Sequence, residues 1–206
     1  MRIELDHIVV AGETLEDASA FVEDTLGVKM TPGGAHAEMG THNRLLSLGP
    51  GLYLEAIAID PDATAPNHAR WYALDDFTGR PRTANWALRT DDLETACAGA
   101  PDGVGAAMAF QRNGYHWNMA VPEDGRLPYD GACPAVMQWT GDAHPAVALP
   151  DRGCRLDRLE FLLPQAAELM MNFPAVLGLP NVRIGPGPRV QVRADVITPH
   201  GLRHLR

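Results

Sequence analysis

The feature that most constrains the fold is a strand pattern followed by a helix pattern, which occurs three times along the 206 residues. In the first copy, "ELDHIVVAGETLEDASAFVEDTLGV", alternating apolar residues predict a strand. Thr14 then predicts the start of a helix and Gly27 its end. The other copies are "TANWALRTDDLETACAGA" and "CRLDRLEFLLPQAAELMMNFPAVLGLP". Such a repeat indicates that one structural unit is built several times.

Further strand patterns follow each helix. The first helix is followed by "NRLLSLG" and "GLYLEAIAID", the second by "AMAF", "GYHWNMAV" and "AVMQW", and the third by "NVRIG" and "RVQVRADVITP". These patterns predict an α+β fold of tandem βαβββ units. We expect two paired units at about 1–62 and 83–142, within residues 1–150, and a partial third βαββ unit at 151–206 packed on the same domain.

Composition excludes several classes of partner. The formal net charge of −9 argues against binding to nucleic acid or to an anionic membrane, because both attract basic surfaces. No apolar run approaches the roughly 20 residues of a membrane span, and the chain starts with a strand pattern instead of a signal peptide. Three widely separated cysteines predict reduced thiols in a cytoplasmic protein. The terminal "HGLRHLR" is expected to be a solvated tail.

Four segments, in this order, carry a resemblance to a known family: "LDHIVVAGETLEDA", "GGAHAEMGTHNRLLSLG", "YLEAIAID" and "MQWTGDAHP". With the repeated units, they resemble the glyoxalase-like domain family of the vicinal oxygen chelate (glyoxalase/bleomycin resistance/dioxygenase) superfamily. The resemblance implies that each unit curls its sheet into half of a cup. It also implies a homodimer.

The resemblance further implies where a divalent metal would be held, since metal-binding members take ligands from the first and last strands of each unit. These positions are His7 and Glu55 in unit one, and Trp86 and Gln138 in unit two. Imidazole and carboxylate suit Zn²⁺, Ni²⁺, Mn²⁺ or Fe²⁺. Trp86 cannot ligate, and Gln138 offers only a neutral carbonyl oxygen. A hydrogen-bonded core histidine therefore remains an alternative for His7.

Other side chains are candidates for substrate binding. His36 lies on a Gly-rich segment, "GGAHAEMG", that we expect to be mobile and able to fold over the cup. Asn43 would point into the cup and orient a carbonyl or carboxylate, while Arg44 would either clamp an anion at the rim or form a surface salt bridge. Trp86, Trp117 and Trp139 would provide an aromatic second half of the cup, with core packing of two of them as the alternative. Gln138 is a further candidate for substrate binding.

Two functions from different classes follow from these residues. The first is a metal-dependent lyase or isomerase of glyoxalase type, acting on a small oxygen-rich metabolite. In it the metal on His7 and Glu55 would stabilise an enediolate, and Glu55 would move the proton. The alternative is a metal-free protein of the same fold that binds or sequesters a small molecule. The retention of both His7 and Glu55 in apolar strands favours the enzyme.

Overall fold

The computed structural model describes all 206 residues and contains two similar units, followed by a third. Unit one consists of β1 (Ile3–Ala11), α1 (Leu15–Leu26), β2 (Thr31–His36), β3 (Thr41–Ser47) and β4 (Tyr53–Ile59). Unit two consists of β5 (Arg82–Thr90), α2 (Leu93–Ala98), β6 (Ala106–Arg112), β7 (Tyr115–Val121) and β8 (Ala135–Thr140). A 3-10 segment, Trp71–Asp76, lies between the units, and the short helix α3 (Pro145–Ala148) follows β8.

Units one and two share one eight-stranded sheet with the strand order β2-β3-β4-β1-β5-β8-β7-β6. In each unit the first strand runs parallel to the last, so β1 pairs with β4 and β5 pairs with β8. The two first strands pair antiparallel and join the units at the centre of the sheet. The predicted α+β class with tandem βαβββ units is confirmed.

Local sequence accounts for the repeated strand and helix. The Thr14 side chain accepts a hydrogen bond from the Asp17 backbone N–H at 3.1 Å, which starts α1, and Gly27 ends it with a φ of 73°. In unit two, Asp92 starts α2 in the same way by accepting from the Thr95 N–H at 3.0 Å. Each helix thus begins directly after a polar N-cap residue, Thr14 in unit one and Asp92 in unit two.

Two expectations about the edges of the sheets were wrong. The Gly-rich segment around His36 is strand β2, paired with β3, and is not a mobile flap. Glycine is required in it because a Cβ at Gly33 would lie 1.9 Å from Oδ1 of Asn43. The C-terminal segment is strand β12, paired with β11, and buries Leu205 completely, so it is not a solvated tail.

Unit three has more strands than predicted and a different topology. It consists of β9 (Arg155–Leu163), α4 (Ala166–Asn172), a 3-10 segment (Pro174–Gly178), β10 (Val182–Pro186), β11 (Gln191–Thr198) and β12 (Gly201–Leu205). Its four strands form a separate sheet in the order β10-β9-β11-β12. Here the first strand is parallel to the strand after the helix, whereas in units one and two it is parallel to the last strand.

The third sheet packs on the helix-covered face of the large sheet. A single core cluster joins apolar residues of all three units, including Ile8, Trp86 and Phe161. The rings of Trp86 and Phe161 stack with their centroids 4.8 Å apart, and both side chains are fully buried. The three units therefore share one hydrophobic core.

The three cysteines are free, and two of them are buried. Burial raises the pKa of the Cys133 thiol to about 12, so this group stays protonated and unreactive near neutral pH. None of the helices has the length and apolar character needed to cross a lipid bilayer.

Replacement of Phe161 by Ala should lower the free energy of unfolding by about 3–5 kcal/mol, since it leaves a cavity against Trp86. Denaturant unfolding followed by tryptophan fluorescence and by circular dichroism measures this change. Both signals should follow one transition, because the core is shared. Leu177→Ala, at a side chain 63% exposed, is the control and should change stability by less than about 0.5 kcal/mol. Separate transitions for the two sheets would contradict the shared core.

Candidate functional site

A small buried hollow lies on the face of the large sheet opposite the helices. On β1, His7 and Val9 face this side while Ile8 and Val10 face the helices, because side chains alternate along a strand. The hollow is lined by His7, His36, Tyr53, Glu55, Trp71, Tyr72, Arg112, Trp117, Met119, Met137 and Trp139. Its volume of about 20 Å³ accommodates about one water molecule.

His7 is oriented by the residue before it. Its Nδ1 lies 2.7 Å from Oδ1 of Asp6, a carboxylate that can only accept, so Nδ1 carries the hydrogen and donates it. Nε2 is the ring nitrogen that faces the hollow. There Nε2 is 3.3 Å from the hydroxyl of Tyr72 and 3.5 Å from Oε2 of Glu55.

Asp6 is fully buried and has donors from three other elements. Its Oδ2 accepts from Nε1 of Trp139 at 2.8 Å and from Nε2 of His144 at 2.9 Å, and Arg89 lies 3.5 Å away. Burial by itself raises the pKa of Asp6, but the hydrogen bonds from His144 and His7 hold that pKa well below its usual range. Asp6 is therefore ionised at neutral pH and keeps His7 in one tautomer.

Glu55 faces His7 from the adjacent strand β4 and is 6% exposed. Its Oε1 accepts a hydrogen bond from Nδ2 of Asn43, whose Oδ1 accepts from the Gly34 N–H at 3.0 Å. The second bond fixes the amide orientation, so the donating end of Asn43 points at the carboxylate. Oε1 is also 3.9 Å from Nε2 of His36.

His36 has a partner on each ring nitrogen. NH1 of Arg112 donates to Nε2 at 3.1 Å, so Nδ1 carries the hydrogen and donates to Oγ1 of Thr41 at 3.0 Å. Burial, and then the charge of Arg112, lower the pKa of His36 well below its usual 6.5. The ring is neutral, and Arg112 brings a buried positive charge from unit two to the hollow.

The 3-10 segment Trp71–Asp76 covers the hollow. Tyr72 has a φ of 60° and Ala73 a φ of 52°, a left-handed conformation that is unfavourable for residues with a Cβ. Burial, together with the nearby Glu55 and Asp6 carboxylates, raises the pKa of Tyr72 well above 10, so its hydroxyl keeps its proton and donates to His7. Trp71 also lines the hollow, and its Nε1 is buried without a hydrogen-bond partner.

The structure brings five of the predicted site residues together at the hollow. His7, His36, Glu55 and Trp117 line it. The fifth, Asn43, contacts Glu55 from β3 and is buried on the same side of the sheet.

Trp86 and Gln138 do not reach the hollow, which corrects their predicted placement, whereas Arg44 lies outside it in the position of the predicted surface salt bridge. Trp86 pairs with Ile8 across the central strands and so shares the helix-facing side, where its Nε1 donates to the Ala132 carbonyl at 2.9 Å. Gln138 accepts from the Leu93 N–H at 3.1 Å at the start of α2. Arg44 lies 3.8 Å from Glu16 of α1 on the opposite face from Asn43.

Sequence reasoning missed Arg112, Trp71 and Tyr72. Arg112 directly precedes an Asn-Gly hairpin turn, and its distance from the other site residues along the chain concealed its position. The Trp-Tyr pair lies within a Pro-rich connector, where two adjacent large aromatics indicate a segment that packs on something. The adjacent Trp71 and Tyr72 were therefore the sequence signal that this connector packs against the site.

The side chains at the hollow do not complete a metal site. His7 and Glu55 offer two donors, but no group of three His, Cys, Asp or Glu side chains has an arrangement that could hold a metal ion. The nitrogen of His36 that would supply a third donor accepts from Arg112, a cation, at 3.1 Å. Catalytic metal sites usually present three protein ligands, so the residues fit a divalent ion only in part.

Comparisons with known proteins agree with the geometry. A family model described as a glyoxalase-like domain matches residues 5–177. A hypothetical protein from Staphylococcus aureus aligns at a TM-score of 0.65 with 14% identity, over 99% of this chain and 98% of that chain. No curated protein sequence matches this chain.

Methylmalonyl-CoA epimerases align less well with this chain. The Mycobacterium tuberculosis enzyme has a TM-score of 0.43 with 18% identity, over 70% of this chain and 91% of that chain. The Streptomyces coelicolor enzyme has a TM-score of 0.45 with 16% identity, over 68% of this chain and 98% of that chain. At these identities the structural matches show the fold alone. The family match confirms the resemblance inferred from the sequence.

Stability should depend on pH through His36. Since its pKa is lowered in the folded protein, the unfolded chain binds more protons below pH 6.5. The free energy of unfolding should therefore fall below that pH, by up to about 1.4 kcal/mol per pH unit, until the folded pKa is reached. Denaturant titrations between pH 5 and pH 7.5 measure the slope. His36→Gln should flatten it, whereas the exposed His116→Gln should not. Equal slopes in all three proteins would contradict the assignment.

Proposed function

The chain belongs to the glyoxalase-like domain family, and we propose that it is a lyase or isomerase that moves a proton on a small metabolite carrying oxygens on neighbouring carbons. The observation that carries this proposal is the 3.5 Å approach of the His7 imidazole to the Glu55 carboxylate in a buried hollow. An imidazole nitrogen and a carboxylate oxygen held this close, away from bulk water, suit a reaction that moves a proton.

Glu55 is the proposed base. Its Oε1 is held by Asn43, which leaves Oε2 directed at the hollow and at His7. A carboxylate in this position takes a proton from the carbon next to a carbonyl. Proton removal leaves an enediolate, and its negative charge needs donors that are already in place.

Two buried donors at the hollow suit that charge. The Arg112 guanidinium brings a full positive charge, and the Tyr72 hydroxyl keeps its proton because burial raises its pKa. The Asp6–His7 pair holds a second site for the moving proton, since Nε2 of His7 faces the hollow and Nδ1 is hydrogen-bonded to Asp6. In this proposal the reactive end of the substrate lies between a base on one strand and donors from two other elements.

The proposed proton transfer does not depend on a divalent metal, although a bound metal would assist it. If one were bound, His7 and Glu55 would hold it, and it would polarise the vicinal oxygens of the substrate. Arg112 occupies the third donor and already supplies positive charge beside it, so the proposed proton transfer runs through the side chains alone. Zn²⁺, Ni²⁺, Mn²⁺ and Fe²⁺ are the ions to test.

Binding without chemistry is a second candidate function. It is favoured by the aromatic lining, in which Trp117 and Trp139 pack with their centroids 5.3 Å apart beside Trp71. Such walls bind the apolar part of a small molecule and hold it away from water. If the protein acts by sequestration, a bound ligand should quench the tryptophan emission and be recovered chemically unchanged.

Glu55→Gln should reduce proton exchange about 10²–10⁴-fold, because the amide keeps the shape of the side chain but cannot act as a base. The measurement is NMR of deuterium incorporation from D₂O into a panel of α-hydroxy ketones and 2-oxo acids. Glu94→Gln, at an exposed position on α2, is the matched control and should exchange like the wild type. Exchange by Glu55→Gln at the wild-type rate would refute the role of Glu55.

Isothermal titration of the metal-stripped protein with each of the four ions should show no saturable binding, because only two donors are free. Arg112→Gln releases Nε2 of His36 and removes the competing charge, so this variant should bind Zn²⁺ more tightly than the wild type. The His7→Ala/Arg112→Gln double variant should lose that gain. Stoichiometric binding by the wild type that disappears in His7→Ala would establish the metal-dependent version instead.

A further inference from the structure

A second and much larger cavity, of about 910 Å³, lies at the start of β5, where this strand meets β11 of the third sheet, and is bordered by the 3-10 segment Trp71–Asp76. We call it the inter-sheet cleft and define it by Arg82 and Thr83 of β5, Arg126, Glu160 of β9, and Arg189 and Arg193 near β11. The hollow accommodates about one water molecule, whereas this cleft has the volume of a site for a small metabolite. Nothing in the proposed chemistry uses it.

The cleft concentrates positive charge in an acidic protein. Five arginines and three carboxylates line it, although the whole chain has a formal net charge of −9. Arg126 is paired with Asp76 at 2.7 Å. Arg193 is paired with Asp195 at 2.5 Å. Arg82 has no carboxylate partner; it donates to the Thr78 carbonyl at 3.0 Å and lies over the Phe77 ring at 4.0 Å, and Arg189 makes no ion pair or side-chain hydrogen bond. Guanidinium groups in this state are suited to carboxylate or phosphate.

A buried hydroxyl in the cleft also lacks a partner. Thr83 lines the cleft, is 5% exposed, and its Oγ1 has no hydrogen bond within the protein. A buried polar atom without a partner is costly and therefore unusual. An oxygen of a bound anion would satisfy this hydroxyl after a small shift of the atoms that cover it.

Tyr72 is the one residue that lines both cavities. Its hydroxyl contacts His7 in the hollow at 3.3 Å, while another part of the side chain or backbone borders the cleft. Because Tyr72 and Ala73 have left-handed backbone conformations, this partition is held in place at some cost. A displacement of Tyr72 would connect the cleft with the hollow.

We propose that the inter-sheet cleft binds the anionic end of the substrate and that Tyr72 is the partition its reactive end passes to reach Glu55. The substrate class is therefore a small carboxylate or phosphate ester with an apolar segment, for which Leu127, Leu162 and Val192 supply contacts. The chemistry at the reactive end rests on the proposed function, whereas the anion site does not.

Calorimetric titration of the full chain with inorganic phosphate and with succinate, in 0.15 M salt, tests the anion site directly. The Arg82→Gln/Arg189→Gln variant should bind the preferred anion about tenfold more weakly or worse. Thr83→Val should weaken binding without lowering the melting temperature, since the lost hydroxyl has no partner in the protein. Arg152→Gln removes the same charge at an exposed position outside the cleft and should bind like the wild type.

The outcomes separate this inference from the proposed function. No binding of either anion by the wild type, or equal binding by the wild type and the double arginine variant, would overturn the cleft site. Retained binding by Glu55→Gln supports a site distinct from the hollow. Anion binding without any proton exchange would leave the cleft standing and refute the proton-transfer function. Alternatively, the double arginine variant could catalyse proton exchange with an unchanged KM for acidic substrates. That result would overturn the anion site in the cleft and leave the proton-transfer function standing.

Discussion

The arrangement of the site depends on one buried carboxylate. Asp6 has no exposed surface, yet it stays ionised because His7, Trp139, His144 and Arg89 surround it with donors. These partners come from unit one, unit two and the segment after β8, so one anion ties together parts of the chain that are far apart in sequence. A buried charge is tolerated only when it is compensated in this way. The same contacts fix the tautomer of His7 and so determine that Nε2 is the ring nitrogen presented to the hollow.

The family's metal-binding scheme and this hollow differ in a way that the local geometry explains. A scheme with ligands from both units needs a donor on β5, but the register of the central strands turns Trp86 toward the helices and the third sheet. Unit two instead contributes Arg112 from its outermost strand, opposite Glu55 and His36. The positive charge that unit two brings to the hollow therefore lies beside His36 and belongs to a protein side chain.

Alternation along strands allowed much of the fold and half of the site to be predicted. The period-two pattern of β1 and β4 placed His7 and Glu55 on one face, and capping residues located α1. The pattern could not give the register between β1 and β5, and a shift of one residue decides whether Trp86 faces the hollow or the core. Nor could it detect Arg112 or Tyr72, because their positions depend on pairings between distant segments. The glycines of β2 were misread as a sign of mobility, although Gly33 is there to make room for Asn43.

The left-handed backbone at Tyr72 and Ala73 has a kinetic consequence. Each of these residues raises the free energy of the closed conformer by about 1–2 kcal/mol relative to a relaxed backbone. A motion that relieves this strain on the way to its transition state has a lower barrier, and segmental motions of this kind occur on microsecond to millisecond timescales. The rate at which a ligand reaches His7 and Glu55 would then be set by the motion of the Trp71–Asp76 segment. It would not depend on how often ligands collide with the surface.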